Sequence, residues 1–206
     1  MRFNEIELQL HALAEYVTLL DTNLPKIVEA ERDRVRREHS DDQDEGTVAD
    51  HLESRLDSGL ATSLLMSSAV VAVWAQYELV VSELAKRIAR QKEISLRLCD
   101  LRGSFMERAR KYFDDVLRFD LHPIETDWDT LGLLADVRHA IAHANGQLED
   151  MQQAERARLE RRLARTPTLT VVDGCLVVSP EFAREASDTV SRLLRDLMRR
   201  MENEKL

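Results

Sequence analysis

Apolar residues recur at steps of three and four along most of this chain. Phe3, Ile6, Leu10, Leu13, Val17 and Leu20 predict an amphipathic helix over residues 3–20. Asn23 suits a helix cap and Pro25 a first helical turn, so a second, heavily charged helix is expected to about His39. With the acidic loop at residues 40–46, these predict an N-terminal helical hairpin spanning residues 1–45, within the same domain or beside it. Thr47 then caps a short helix to about Leu56, with Asp50 at its third helical position.

The longest apolar pattern covers residues 59–93. Leu60, Leu64, Ala69, Val73, Tyr77, Val80, Leu84 and Ile88 recur near helical spacing, and apolar residues almost encircle the stretch from 64 to 81. That is the pattern of a helix at the centre of a bundle. Trp74 and Tyr77 read as core rather than as a stacking platform. Glu78 falls inside this stretch and needs a partner, because an unpaired buried carboxylate is costly. Arg138 is the candidate partner.

Ser104 and Glu107 form a capping box for a helix to about Phe119. Residues 120–127 make a loop containing His122-Pro123, and Asp127 is expected to cap the next helix, which runs to Asn145-Gly146. A charged helix is expected over 148–165. Two β-branched runs then flank Asp173-Gly174, the signal of a hairpin with a type I′ turn. Ser179-Pro180 opens a last helix, packed through Phe182, Ala186, Val190, Leu193, Leu194, Leu197 and Met201. The expected fold is mainly α: a helical bundle with one small C-terminal β-hairpin, its main domain at residues 46–206.

Composition narrows the options. Of 206 residues, 44% are hydrophobic, enough for a core, but only 5% are aromatic, so that core is built of Leu, Val, Ala and Met. A net charge of -9 argues against a chain coated in positive charge for general nucleic-acid binding, while leaving room for a local basic site. Cys99 and Cys175 follow no metal or redox spacing and suit a reducing cytoplasm. The N-terminus has no signal-peptide pattern, and the apolar run at 64–81 is interrupted by Ser, Gln, Tyr and Glu, so no membrane partner is expected.

The most chemically suggestive stretch is Asp136-Val-Arg-His-Ala-Ile-Ala-His-Ala-Asn-Gly146. At about 100° per residue, Leu134, Val137, Ile141 and Ala144 form its core face, while Asp136, His139 and His143 share another. Arg138 and His143 lie about 140° apart on a straight helix, far for gripping one atom unless the helix end relaxes or a second copy packs alongside. Arginine is a fork for phosphate and histidine moves protons near neutral pH. Together they fit cleavage at a ribose 2′-hydroxyl, which DNA lacks. The same residues also fit a solvated helix face. Asp136, His139 and His143 further fit a metal site, through two His four residues apart, with the remaining ligands not evident.

The segment Arg138-His139-Ala-Ile-Ala-His143-Ala-Asn-Gly resembles the signature of the HEPN superfamily: Arg, a polar residue, three to five residues, then His. His139 fits the polar position. The surroundings are similar too: an apolar helix with an internal Glu (residues 67–84), Leu101-Arg-Gly103 opening a helix, and Trp128 before the signature helix. The likeness covers roughly residues 60–200. It implies a helical domain that dimerises and brings two signatures together. Many relatives are metal-independent endoribonucleases acting as toxins or phage-defence effectors, and others are non-catalytic binding modules. Carried onto this chain, it implies His143 as acid/base and Arg138 as the phosphate ligand. His139, Asn145 and Glu78 would support them, and the basic side of the preceding helix (Arg102, Arg108, Lys111) would grip RNA. It implies no cofactor. The partners would be RNA, a second copy and an antitoxin or defence-complex protein.

Overall fold

The computed structural model describes residues 2–38 and 60–206. The acidic loop at 40–46 and the short helix at 47–56 lie outside the described residues. Six α-helices and one two-stranded antiparallel sheet account for most of the described chain. They are α1 (Phe3–Glu38), α2 (Leu60–Gln91), α3 (Phe105–Lys111), α4 (Glu125–Ala144), α5 (Gln153–Leu163) and α6 (Pro180–Asn203), with β1 (Leu169–Val172) and β2 (Cys175–Val178) between α5 and α6. The mainly helical bundle with a small hairpin is as the sequence predicts.

The expected N-terminal hairpin is not formed. Residues Phe3–Glu38 make one continuous helix with Pro25 inside it. Apolar spacing explains why: Val17, Leu24 and Val35 are buried and Val28 packs against them, so the stripe runs straight through the proline. A mid-helix proline costs about 3 kcal/mol, and burial of Leu24 and Val35 at roughly 2 kcal/mol each offsets it. The helix packs along α2 and α6 rather than folding on itself.

Three long helices form the frame. The α1 and α2 axes run antiparallel: Arg87 stacks over Phe3 at 4.3 Å, Gln76 donates to Gln9 at 2.8 Å, and Tyr16 meets Ser68 at 3.1 Å. Against α1, α6 places Arg195 on Glu7 and Arg184 on Asp21. Met66, Val70, Val73, Tyr77, Val80, Leu84 and Ile88 of α2 are wholly buried, which makes it the central helix. The stretch Thr62–Gln91 is long and apolar enough to cross a membrane by length and composition, although half of its most apolar window is buried inside the bundle.

The hairpin turns through Asp173 (φ 50°) and Gly174 (φ 77°), as a type I′ turn requires, and pairs Val172 with Cys175 and Leu169 with Val178. Ser63 of α2 docks it: its hydroxyl accepts from the Val178 N–H at 2.9 Å and donates to the Leu176 carbonyl at 3.3 Å. On its other side the hairpin holds the exit of α4. The Leu176 N–H donates to the Gly146 carbonyl at 2.8 Å and the Leu148 N–H to the Gly174 carbonyl at 3.0 Å. So the end of α4 is fixed from outside.

Between α2 and α4 the chain takes a tighter course than predicted. The Ser104 capping box forms, but α3 ends at Lys111 and continues as a π-helical turn over Tyr112–Leu117, with Arg118 left-handed at φ 52°. Arg200 of α6 pins the loop that follows by donating to the carbonyls of Asp120 and Leu121. Asp127 does not cap α4. Ile124 holds the cap position without a side-chain bond, and the buried Asp127 carboxylate accepts from Arg192 of α6 at 3.3 Å. A bond to a guanidinium on another helix wins over a cap that exposed backbone amides can replace with water.

Candidate functional site

The end of α4 is built by its exit. Asn145 takes the left-handed conformation (φ 49°) and Gly146 follows at φ 79°, so the helix stops where Asn-Gly predicts. Asn145 is thereby assigned a helix-ending role. Gly146 also approaches β2 closely: a Cβ there would lie 3.3 Å from the Cys175 sulfur.

In the last two turns Arg138 and His143 come together. Arg138 Nη1 donates to His143 Nε2 at 3.4 Å. Positions about 140° apart on the helix are bridged by the length of the arginine side chain, without a relaxed helix end or a second copy. An arginine can only donate, so Nε2 carries the lone pair in this contact. His143 is exposed, and its ring centroid is 4.6 Å from that of half-buried His139. His139 Nε2 in turn donates to Glu155 Oε2 of α5 at 3.1 Å.

Asp136, one turn earlier, is 5% exposed and is clamped by two arginines of α5. Arg158 grips both of its oxygens and Arg162 donates to Oδ2 at 2.7 Å. Arg162 reaches it by lying flat on Gly132, where a Cβ would stand 2.8 Å from its guanidinium. These contacts bear on the metal reading. The Asp136 oxygens face guanidinium groups and His139 faces Glu155. Among the described residues no group of three His, Cys, Asp or Glu is placed to hold a metal ion.

Other candidates stand apart from this pair. Glu78 is half-buried, makes no hydrogen bond or ion pair among the described residues, and is not joined to Arg138. Partial exposure removes the need for a partner on which that pairing rested. Arg102 and Lys111 are exposed on and before α3, while Arg108 is half-buried with its Nε unpartnered. None of the three bonds to Arg138 or His143. The face of α3 turned to α4 instead carries Arg110, whose guanidinium lies 5.1 Å from the Trp128 ring centroid. Nearby, Glu107 accepts from the Ser104 backbone and hydroxyl, and those bonds in that order, then Lys111 and Arg158, hold its carboxyl below the usual range against burial.

At the other end of α4, His122 is 2% exposed. Its Nε2 shares a hydrogen bond with the Tyr77 hydroxyl at 3.2 Å, and its carbonyl accepts from Trp128 Nε1 at 2.8 Å. Burial above all, helped by Arg200 and Arg192 and opposed by Asp196, pushes its pKa down to about 4. His122 is therefore a neutral core histidine. A cavity of about 360 Å³ opens beside it.

The residues that sequence reasoning missed are Glu155, Arg158, Arg162 and Gly132. The signal was present: Glu155, Arg158 and Arg162 fall at helical steps of three and four, opposite in sign to His139 and Asp136 at a step of three. No family model, curated protein or solved structure matches the chain.

Proposed function

We propose that the chain is a metal-independent endoribonuclease of the toxin or phage-defence type, akin to the HEPN superfamily and working as a cytoplasmic homodimer. The observation that carries this is the Arg138–His143 contact at an exposed helix end. A guanidinium that already faces the imidazole holds a scissile phosphate against it with little rearrangement. His143 Nε2 then takes the proton of a ribose 2′-hydroxyl. The freed oxygen attacks phosphorus and the 5′-oxygen leaves, collecting a proton from the histidine of the second copy. The products are a 2′,3′-cyclic phosphate and a free 5′-hydroxyl. Arg138 meets the charge that builds on the phosphoryl oxygens. His139, fixed by Glu155, keeps the His143 ring from swinging away, and Asn145 ends the helix just beyond it.

The test is cleavage of a mixed RNA pool with excess chelator present, comparing wild type with His143→Ala. Cleavage by wild type alone, leaving cyclic phosphate ends, supports the reading. Equal cleavage by the purified variant sinks it.

A second reading, a non-catalytic HEPN-like interaction or RNA-binding module in a larger complex, has its own observation. Leu8 and Leu19 of α1 and Leu64 and Leu79 of α2 are exposed on neighbouring helices. Single exposed apolar residues are ordinary, whereas four large ones on two packed helices favour a protein partner, an antitoxin or a second copy. This reading expects stable association without turnover, and no effect of His143→Ala beyond stability.

A further inference from the structure

The acidity of the chain conceals a line of cations. Trp128, Gly132, Asp136, His139 and His143 lie within about 80° of one another around α4, and α5 lies over the middle of that face through Arg162, Arg158 and Glu155. Three guanidiniums are laid along that face: Arg110 on Trp128, Arg162 on Gly132 and Arg158 on Asp136. Arg138, against His143, ends the series. Asp136, Glu155, Glu107 and Asp114 offset part of this charge, yet Arg110 and Arg158 remain half-exposed.

The line starts at the cavity of about 360 Å³, whose lining includes Arg110, Asp114, Arg118, His122 and Trp128. The indole and the guanidinium upon it offer a flat, polarisable wall, the kind of surface on which unpaired bases stack. Arg118 stands at the rim, exposed, in its left-handed conformation. Asp114 is half-buried, 3.8 Å from Arg110, and accepts from the Leu121 N–H. Burial, then Asp120, push its carboxyl above the usual range, against Arg110 and that N–H. An arriving ligand edge rich in hydrogen-bond donors would relieve it.

We infer that this cavity is a base-binding subsite for single-stranded RNA, selective for guanine, and that the strand runs from it over the exposed guanidiniums of Arg110 and Arg158 to His143. Its cleavage end rests on the ribonuclease reading above; its base-binding end does not. Trp128 and Arg110 stack the base. Asp114 accepts from N1–H and N2–H of guanine, two donors on one edge that no other common base presents together. Arg118 meets the adjoining phosphate. Fifteen residues of helix separate Trp128 from His143, about 22 Å. A strand stacked at about 3.4 Å per nucleotide covers that distance with about six nucleotides, an extended one with fewer.

The experiment uses the intact protein and tryptophan fluorescence, with Trp128→Phe identifying the responding indole, since Trp74 is buried. The probes are GMP, AMP, CMP, UMP and 2′-O-methyl octanucleotides carrying one guanine near either end, which bind but cannot be cut. The expected result is quenching by GMP at lower concentration than by the other three. One of the octamers should bind at least tenfold tighter than GMP. Asp114→Asn should cut the guanine preference by about tenfold while the thermal midpoint stays within a few degrees. Equal response to all four nucleotides, or an octamer no tighter than GMP, overturns the inference. Guanine-selective binding with no cleavage of any RNA would keep the subsite and remove the ribonuclease reading. Cleavage abolished by His143→Ala but indifferent to guanine and Trp128 would do the reverse.

Discussion

His122 and His143 stand at opposite ends of α4 and share little but the ring. His122 is 2% exposed, wedged against Tyr77 and Trp128, with its pKa pushed down to about 4. It holds the start of the helix to the core and carries no proton to anything. His143 is exposed in the last turn, against His139 and facing a guanidinium. Histidine is the side chain best placed to move protons near neutral pH, but only when solvent or substrate reaches it. Burial turns one of these residues into packing, and a helix end fixed by the hairpin leaves the other open to solvent.

The comparison breaks most sharply in activity. His143→Ala should reduce RNA cleavage by a factor of about 10³, within the range for loss of a positioned acid or base, at an unchanged thermal midpoint. His122→Gln should do the opposite: lower the midpoint while changing the rate per folded molecule far less than His143→Ala does. Cleavage assays on both variants, normalised to folded protein, check the pair. A His122 variant that folds but does not cleave would erase the distinction.

Acid should separate the two next. The folded pKa of His122 lies below its ordinary value of 6.5, so the native state prefers the neutral ring. Its contribution is complete above about pH 6.5 and is lost as pH falls toward 4. A shift from 6.5 to about 4 corresponds to roughly 3 kcal/mol at about 1.4 kcal/mol per unit. Urea unfolding between pH 7 and 4 should show this slope, and His122→Gln should flatten it by close to one proton. An equal slope in the variant would mean that carboxylates alone account for it.

A smaller effect is expected at the clamp between the two ends. Asp136→Asn keeps the shape but leaves Arg158 and Arg162 without their carboxylate. Removing one partner of a buried pair costs about 3–5 kcal/mol; with both arginines partly exposed, about 2 kcal/mol is expected. Chemical denaturation measures it. Cleavage should fall as well, because α5 would no longer hold Glu155 on His139.

How much of this was legible in the sequence depended on whether a feature is local. The Ser104 box, the Asn145-Gly146 stop and the Asp173-Gly174 turn each depend on residues a few positions apart, and each formed where read. Pro25 and Asp127 were misread by the same local rules. The apolar stripe through Leu24 and Val28, and a guanidinium on α6, act from a distance. Glu78 was misread because an apolar neighbourhood in sequence was taken for full burial. At the candidate site, Arg138 and His143 were legible as residue types, but their contact was not. Angles around a helix describe Cβ directions and ignore the reach of an arginine. The α5 clamp was written in charge spacing, but only the fold shows that α5 lies on this face.

The finest test of that clamp is Gly132→Ala. Alanine at an interior helical position normally adds about 1 kcal/mol over glycine. Here its Cβ would stand 2.8 Å from Arg162 Nη2, so the guanidinium must slide off and its bond to Asp136 must lengthen or break. The two effects oppose each other and are similar in size, since a hydrogen bond to a charged group is worth about 1.5–3 kcal/mol and Arg158 still holds Asp136. Gly132→Ala alone should therefore change stability little, or lower it slightly. In an Arg162→Ala background the obstacle is gone, and the same substitution should stabilise by about the full 1 kcal/mol. A double-mutant cycle by denaturant unfolding reads the difference directly. If Gly132→Ala stabilises equally in both backgrounds, Arg162 does not lie on this glycine. The clamp then reduces to Arg158, and the line of cations from Trp128 to His143 loses its middle member.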